Sequence, residues 1–120
     1  PILIEPFISE WIDGDVRNDL SAEAVIRSMA IAAGLGSSSA YTWLKIPYVQ
    51  QMERVMAATT LPTVILGGDP GNDSDGLFSD WAHAMTIDGV VGLMVGRSLL
   101  YPQSGSTHDA VARAVEVVHG

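Results

Sequence analysis

Apolar residues along this chain fall into short unbroken runs, separated by stretches where they recur at helical spacing. The runs include Ile2-Leu3-Ile4, Trp43-Leu44, Thr63-Val64-Ile65-Leu66 and Val90-Val91. They predict strands over 1–8, 40–46, 63–66 and 90–95, each continuously apolar, as strands covered on both faces are. The intervening stretches predict amphipathic helices. Ser21 caps the first, and Val25, Ile26, Met29, Ala30 and Ala33 form its apolar face before Gly34 and Gly36 end it. A second helix is expected over 48–58, with Val49, Met52, Val55 and Met56 inward. A third runs over 76–85 with Leu77, Phe78, Trp81 and Met85 inward. A short helical turn passes through Leu99, Leu100 and Tyr101, and a last helix over 107–119 carries Val111, Val115 and Val118. The segment 9–20, rich in Asp and Gly, reads as a long loop.

The resulting order is β-α-β-α-β-α-β-α. Such alternation implies parallel strands joined by right-handed crossovers, in an open doubly wound sheet or part of a (β/α)8 barrel. Four units of about 30 residues fill the chain, whereas a full barrel takes about 250. We therefore expect a single domain over 1–120 that is the C-terminal half of a barrel, strands five to eight, from a longer polypeptide. An apolar strand beginning immediately at Pro1 fits that expectation. A catalytic N-terminal proline is the alternative at that position, and nothing else in the chain supports it. A half-barrel has two open sheet edges, so a homo-oligomer or completion by a missing N-terminal half is expected.

Composition narrows the function. The 120 residues are 48% apolar, contain no cysteine and carry a net charge of −8. Thiolate metal sites, disulfides and cysteine nucleophiles are excluded. An acidic chain repels nucleic acid and anionic membranes, so neither is expected as a partner. No membrane span and no signal segment are visible, and a cytoplasmic location is expected.

Functional side chains of parallel α/β folds gather at the C-terminal ends of strands. There stand Glu5, Lys45, Gly67-Gly68-Asp69 and Gly96-Arg97-Ser98. Lys45 is the single lysine among six basic residues. A lysine buried at a strand end loses its proton more readily, and the free amine attacks carbonyl carbon. A lysine snorkelling out of the sheet is the structural alternative. Glu5 could shuttle protons, or pair with an arginine. Gly67-Gly68 and Gly96-Arg97-Ser98 could bring backbone N–H groups and a guanidinium to an anion, or be plain turns. Arg17, in the loop after the first strand, would lie on the same side and could touch substrate. His83, His108 and His119 share no metal-ligand spacing, and 71–75 lacks the closing Glu of a calcium loop.

The series Ile2-Leu3-Ile4-Glu5-Pro6, Trp43-Leu44-Lys45-Ile46-Pro47, Leu66-Gly67-Gly68 and Val95-Gly96-Arg97-Ser98 resembles the second half of class I aldolase barrels. It is most similar to the branch of tagatose-bisphosphate, DhnA-type fructose-bisphosphate and deoxyribose-phosphate-like aldolases, and within it to actinobacterial aldolases of sugar and inositol catabolism. The resemblance implies that Lys45 is the Schiff-base nucleophile and Glu5 a proton carrier. It further implies that Gly67, Gly68, Gly96, Arg97 and Ser98 hold a sugar phosphate, with no cofactor and no metal. Ser98 stands where the family commonly has Asn, and Asp69 would oppose a phosphate if it pointed inward. An isomerase or epimerase with Glu5 as base and Lys45 as an electrostatic aid is a second expectation. A non-catalytic half-barrel that binds sugar phosphates is a third.

Overall fold

In the computed structural model, which describes residues 1–68, 71 and 73–120, the four apolar runs form one parallel sheet. Its strands are β1 (Ile2–Ile4), β4 (Thr42–Ile46), β5 (Thr63–Leu66) and β6 (Val90–Met94), in that spatial order. Two further strands, β2 (Ser9–Ile12) and β3 (Asp15–Asn18), pair antiparallel as a separate hairpin. The helices are α1 (Ala22–Ala33), α2 (Met52–Met56), α3 (Ser74–Ala84), α4 (Arg97–Leu100) and α5 (Thr107–His119). The architecture is therefore mixed α/β with a four-stranded parallel sheet.

The hairpin corrects the long loop expected over 9–20. Asp13 and Gly14 both take positive φ, 53° and 82°. Two such residues in a row make the two-residue turn whose twist suits a hairpin. Trp11 then faces Val16, and Glu10 faces Arg17. The first strand is shorter than expected because Pro6 has no N–H to offer a ladder. The second begins at Thr42 rather than 40. The second helix shrinks to Met52–Met56, since Gln51 takes a left-handed φ of 62°, which a right-handed helix running from 48 could not contain. The third starts two residues early, because Asp73 caps it by accepting from the Gly76 N–H at 2.8 Å. Ser106 and Asp109 cap α5 reciprocally.

Burial alternates along β4: Thr42, Leu44 and Ile46 are buried, whereas Trp43 is 41% exposed. The buried set joins Ile65, Val25, Met29, Met52, Val55, Phe78 and Trp81 in one core. The other sheet face carries Leu3, Trp43 and Met94, all exposed. The sequence led us to expect cover on both faces; among the described residues the helices cover one. Registers between β5 and β6 slip between Thr63 and Val64. Val91, the extra residue of that bulge, is left exposed. No helix among the described residues is long and apolar enough to cross a membrane.

A chain of polar contacts ties the segment after β4 to the helices. The Tyr48 hydroxyl lies 2.8 Å from His83 Nδ1, and His83 Nε2 lies 2.9 Å from Glu53. The His83 ring thus has a partner on each nitrogen. Burial, with help from the Asp80 and Glu53 carboxylates, raises the Tyr48 phenol above its ordinary value of 10.0. Folding therefore favours the neutral phenol. The associated stability is complete below pH 10 and is lost as pH rises through the raised value.

Two outcomes follow from this packing. Leu44→Ala, at a fully buried position, should cost about 2–5 kcal/mol in urea denaturation. Tyr48→Phe should flatten the alkaline fall of melting temperature above pH 10, and an unchanged slope would show that Tyr48 is not the group responsible.

Candidate active site

The register of β1 against β4 decides the site. Ile4 lies opposite Leu44 in the last ladder pair of these two strands. One residue further along both parallel strands, Glu5 comes beside Lys45. Their side chains meet, with Lys45 Nζ donating to Glu5 Oε2 at 2.8 Å. The burial expected of both is only partial. The lysine side chain keeps 21% of its surface in solvent and the glutamate 42%. Two charges at this separation hold each other, and water reaches the pair.

This pair lines a cleft of about 690 Å³ at the C-terminal ends of the parallel strands. Gly67, Gly68, Gly96, Arg97 and Ser98 line the same cleft. All the strand-end residues singled out from the sequence are thus brought together, apart from Asp69, which lies outside the described residues. Gly67 permits a close approach of β5 to β6, since a Cβ there would come within 3.2 Å of Val95 Cβ. Gly68 has φ of 66°, a conformation side chains disfavour. Beyond Gly96 the chain turns into α4, whose first N–H groups have no acceptor inside the helix.

Arg17 is not brought to the cleft. It lies on β3, and the alternation of a strand turns its neighbour Asn18 into the cleft wall instead. Asn18, Tyr48, Asp80 and Trp81 also line the cleft, and the sequence did not single them out for that role. Asp13-Gly14 between Ile12 and Val16 was a legible hairpin signal that would have pointed to Asn18. Asp80 and Trp81 had no comparable signal, because they sit mid-helix on α3.

The charges lining the cleft balance. Lys45 and Arg97 oppose Glu5 and Asp80, although the whole chain is at −8. Arg97 and Asp80 make no ion pair among the described residues. Two buried polar atoms of the wall, Ser98 Oγ and Trp81 Nε1, have no hydrogen-bond partner among them either. A buried unsatisfied donor costs about 1–3 kcal/mol. The arrangement offers an amine, a carboxylate in contact with it, and a cation with backbone amides a short distance along the rim. That set can attack a carbonyl, move protons and hold an anion.

Comparison with known proteins places the chain. A crystal structure of Cgl0159 from Corynebacterium glutamicum superposes with a TM-score of 0.95 at 57% identity, covering 99% of this chain and 40% of that one. The 2-amino-3,7-dideoxy-D-threo-hept-6-ulosonate synthase 1 of Archaeoglobus fulgidus is 31% identical over 104 residues, 85% of this chain and 36% of that protein. The chain thus spans well under half the length of these relatives. The model of the Cgl0159-like family matches residues 1–115, and the chain belongs to that family.

Proposed function

We propose that this chain is the C-terminal half of a (β/α)8 barrel, and that the complete barrel is a class I aldolase cleaving a phosphorylated keto-sugar reversibly in the cytoplasm. The observation that carries the reading is the 2.8 Å contact between Lys45 Nζ and Glu5 Oε2 at adjacent strand ends. The exposed apolar face bearing Leu3, Trp43 and Met94 supports the half-barrel. In that reading the face becomes the barrel interior once the remaining strands close on β1 and β6. The archaeal relative is named as a synthase of a ulosonate, a keto-sugar acid, which is compatible with a carbonyl substrate.

Glu5 takes a proton from Nζ, and the neutral amine adds to the substrate carbonyl. The carbinolamine receives a proton on its oxygen from Glu5 and loses water, leaving an iminium on Lys45. The β-hydroxyl of the substrate gives up its proton to a base, the adjacent C–C bond breaks, and an aldehyde departs. The bonding electrons move to the iminium nitrogen and form an enamine. Protonation of the enamine carbon and hydrolysis release the second product and regenerate the amine. The amides at Gly67, Gly68, Gly96 and Ser98, with the Arg97 guanidinium, hold the phosphate.

An isomerase reading keeps Glu5 as base with Lys45 charged beside it, and the observed ion pair is compatible with that. Lys45→Arg separates the two, since a guanidinium keeps the charge and cannot form an imine.

Sodium borohydride added with dihydroxyacetone phosphate or tagatose 1,6-bisphosphate should leave a covalent adduct on Lys45, located by peptide mass. Lys45→Arg should abolish both adduct and turnover; an adduct elsewhere, or turnover in the variant, overturns the aldolase reading. Glu5→Gln should lower the rate of adduct formation by about 10²–10⁴-fold, the span of a general acid–base group. A rate within a factor of three of the parent would remove Glu5 from the mechanism.

A further inference from the structure

The hairpin of β2 and β3 interrupts the path from the end of β1 to α1, on the side of the sheet where the cleft opens. Its base is closed at two points beside the cleft. Asp19 N–H donates to the Ile8 carbonyl at 2.8 Å, and Ser9 pairs with Asn18 in the ladder. The Ser9 hydroxyl also donates to Asn18 Oδ1 at 2.7 Å. This occupies the carbonyl end of the Asn18 side chain. The amide nitrogen, with its two N–H donors, is the polar atom that Asn18 has left for the cleft it lines.

Sheet order gives this donor a definite place. The strands run β1-β4-β5-β6, with neighbours about 4.8 Å apart. Lys45 ends β4. The glycines and Arg97 follow β5 and β6, on one side of it. Asn18 is held, through the bond from Asp19 N–H to the Ile8 carbonyl, close to the chain that leaves β1, which is the other side. A substrate whose anionic end lies against Arg97 and whose carbonyl carbon lies at Lys45 must extend its remaining carbons towards β1. We propose that Asn18, oriented by Ser9, is a specificity-determining residue. Its amide nitrogen donates to a hydroxyl or carbonyl oxygen on the part of the substrate that extends past Lys45 away from the phosphate. This rests on the aldolase reading for the placement of the carbonyl, and it adds a selection for substrates long enough to reach β1.

Past the carbonyl at Lys45 a three-carbon ketose phosphate has a single hydroxymethyl group, whereas a six-carbon one has four carbons, enough to span one strand spacing of about 4.8 Å towards β1. The test measures binding by calorimetry in the complete barrel that contains this chain, with borohydride trapping alongside, for dihydroxyacetone phosphate and for tagatose 1,6-bisphosphate. Asn18→Ala should weaken binding of the six-carbon compound about tenfold, the factor that about 1.4 kcal/mol supplies. It should leave dihydroxyacetone phosphate unchanged. Asn18→Asp should weaken the six-carbon compound at least as much, because a carboxylate has no donor to replace the lost N–H. Ser9→Ala should give an intermediate loss, and because Ser9 is exposed the fold should persist, as circular dichroism would verify.

Equal losses for both compounds would mean that Asn18 acts on the site as a whole, and would overturn the proposal. Full binding by Asn18→Asp would mean that the residue accepts rather than donates, and would overturn it too. Binding of the six-carbon compound that depends on Asn18, without trapping on Lys45, would leave the specificity role standing and remove the imine chemistry. Failure of the complete parent barrel to bind either compound would remove both.

Discussion

Parallel pairing of β1 with β4 is the constraint on which the rest of this molecule depends. It is a short ladder: Ile2, Leu3 and Ile4 against Thr42, Trp43 and Leu44. Side chains alternate across a strand, so a slip of one residue would send Lys45 to the opposite face from Glu5. The slip is opposed by burial. Leu44 and Ile46 are fully enclosed and Thr42 nearly so, and a shift would exchange them for Trp43 and Lys45. The core that holds the sheet against α1, α2 and α3 is therefore what brings a carboxylate and an amine together at its rim. Stability and chemistry share one register.

The same alternation gives the sheet its second apolar face. A surface that ends in Leu3, Trp43 and Met94 is unusual for a strand layer meeting water, and it accords with strands whose composition is apolar on both sides. The bulge between β5 and β6 turns Gly92 and Met94 onto the open face with Val64 and Leu66. Gly67 then lets the ends of these two strands approach, because a Cβ there would press on Val95. The cleft and the open face are thus products of one sheet, with the candidate side chains gathered at its C-terminal rim.

Electrostatics at that rim differ from those of the molecule. The chain as a whole repels anions, yet two cations face two carboxylates in the cleft, and Arg97 is unpaired among the described residues. In the proposed reading an anion in the cleft would meet a cation and backbone dipoles over a few ångströms, a range at which local charges outweigh screened distant ones. The Tyr48–His83–Glu53 chain reaches this rim through Tyr48, which lines the cleft. It anchors the turn that follows Lys45 to α3 and α2.

What was legible in the residues divides along the range of the interactions. Period and turn chemistry are local, so the four parallel strands, most helix limits and the strand-end candidates Glu5, Lys45, Gly67, Gly68, Gly96, Arg97 and Ser98 could be read directly. The hairpin is signalled at Asp13-Gly14 but carries a weak pattern, because its strands are short and polar; the exchange of Arg17 for Asn18 goes with it, as a matter of strand parity. By itself the sequence determined which side chains stand at strand ends, because a run of apolar residues and the glycine or proline that ends it are encoded together. Only the tertiary structure decided that Glu5 touches Lys45 across 40 residues of chain, that one sheet face stays open, and that Asn18, Asp80 and Trp81 share the cleft. Those outcomes depend on strand order, register and helix packing, which are set by burial summed over the whole core and by no single stretch of it.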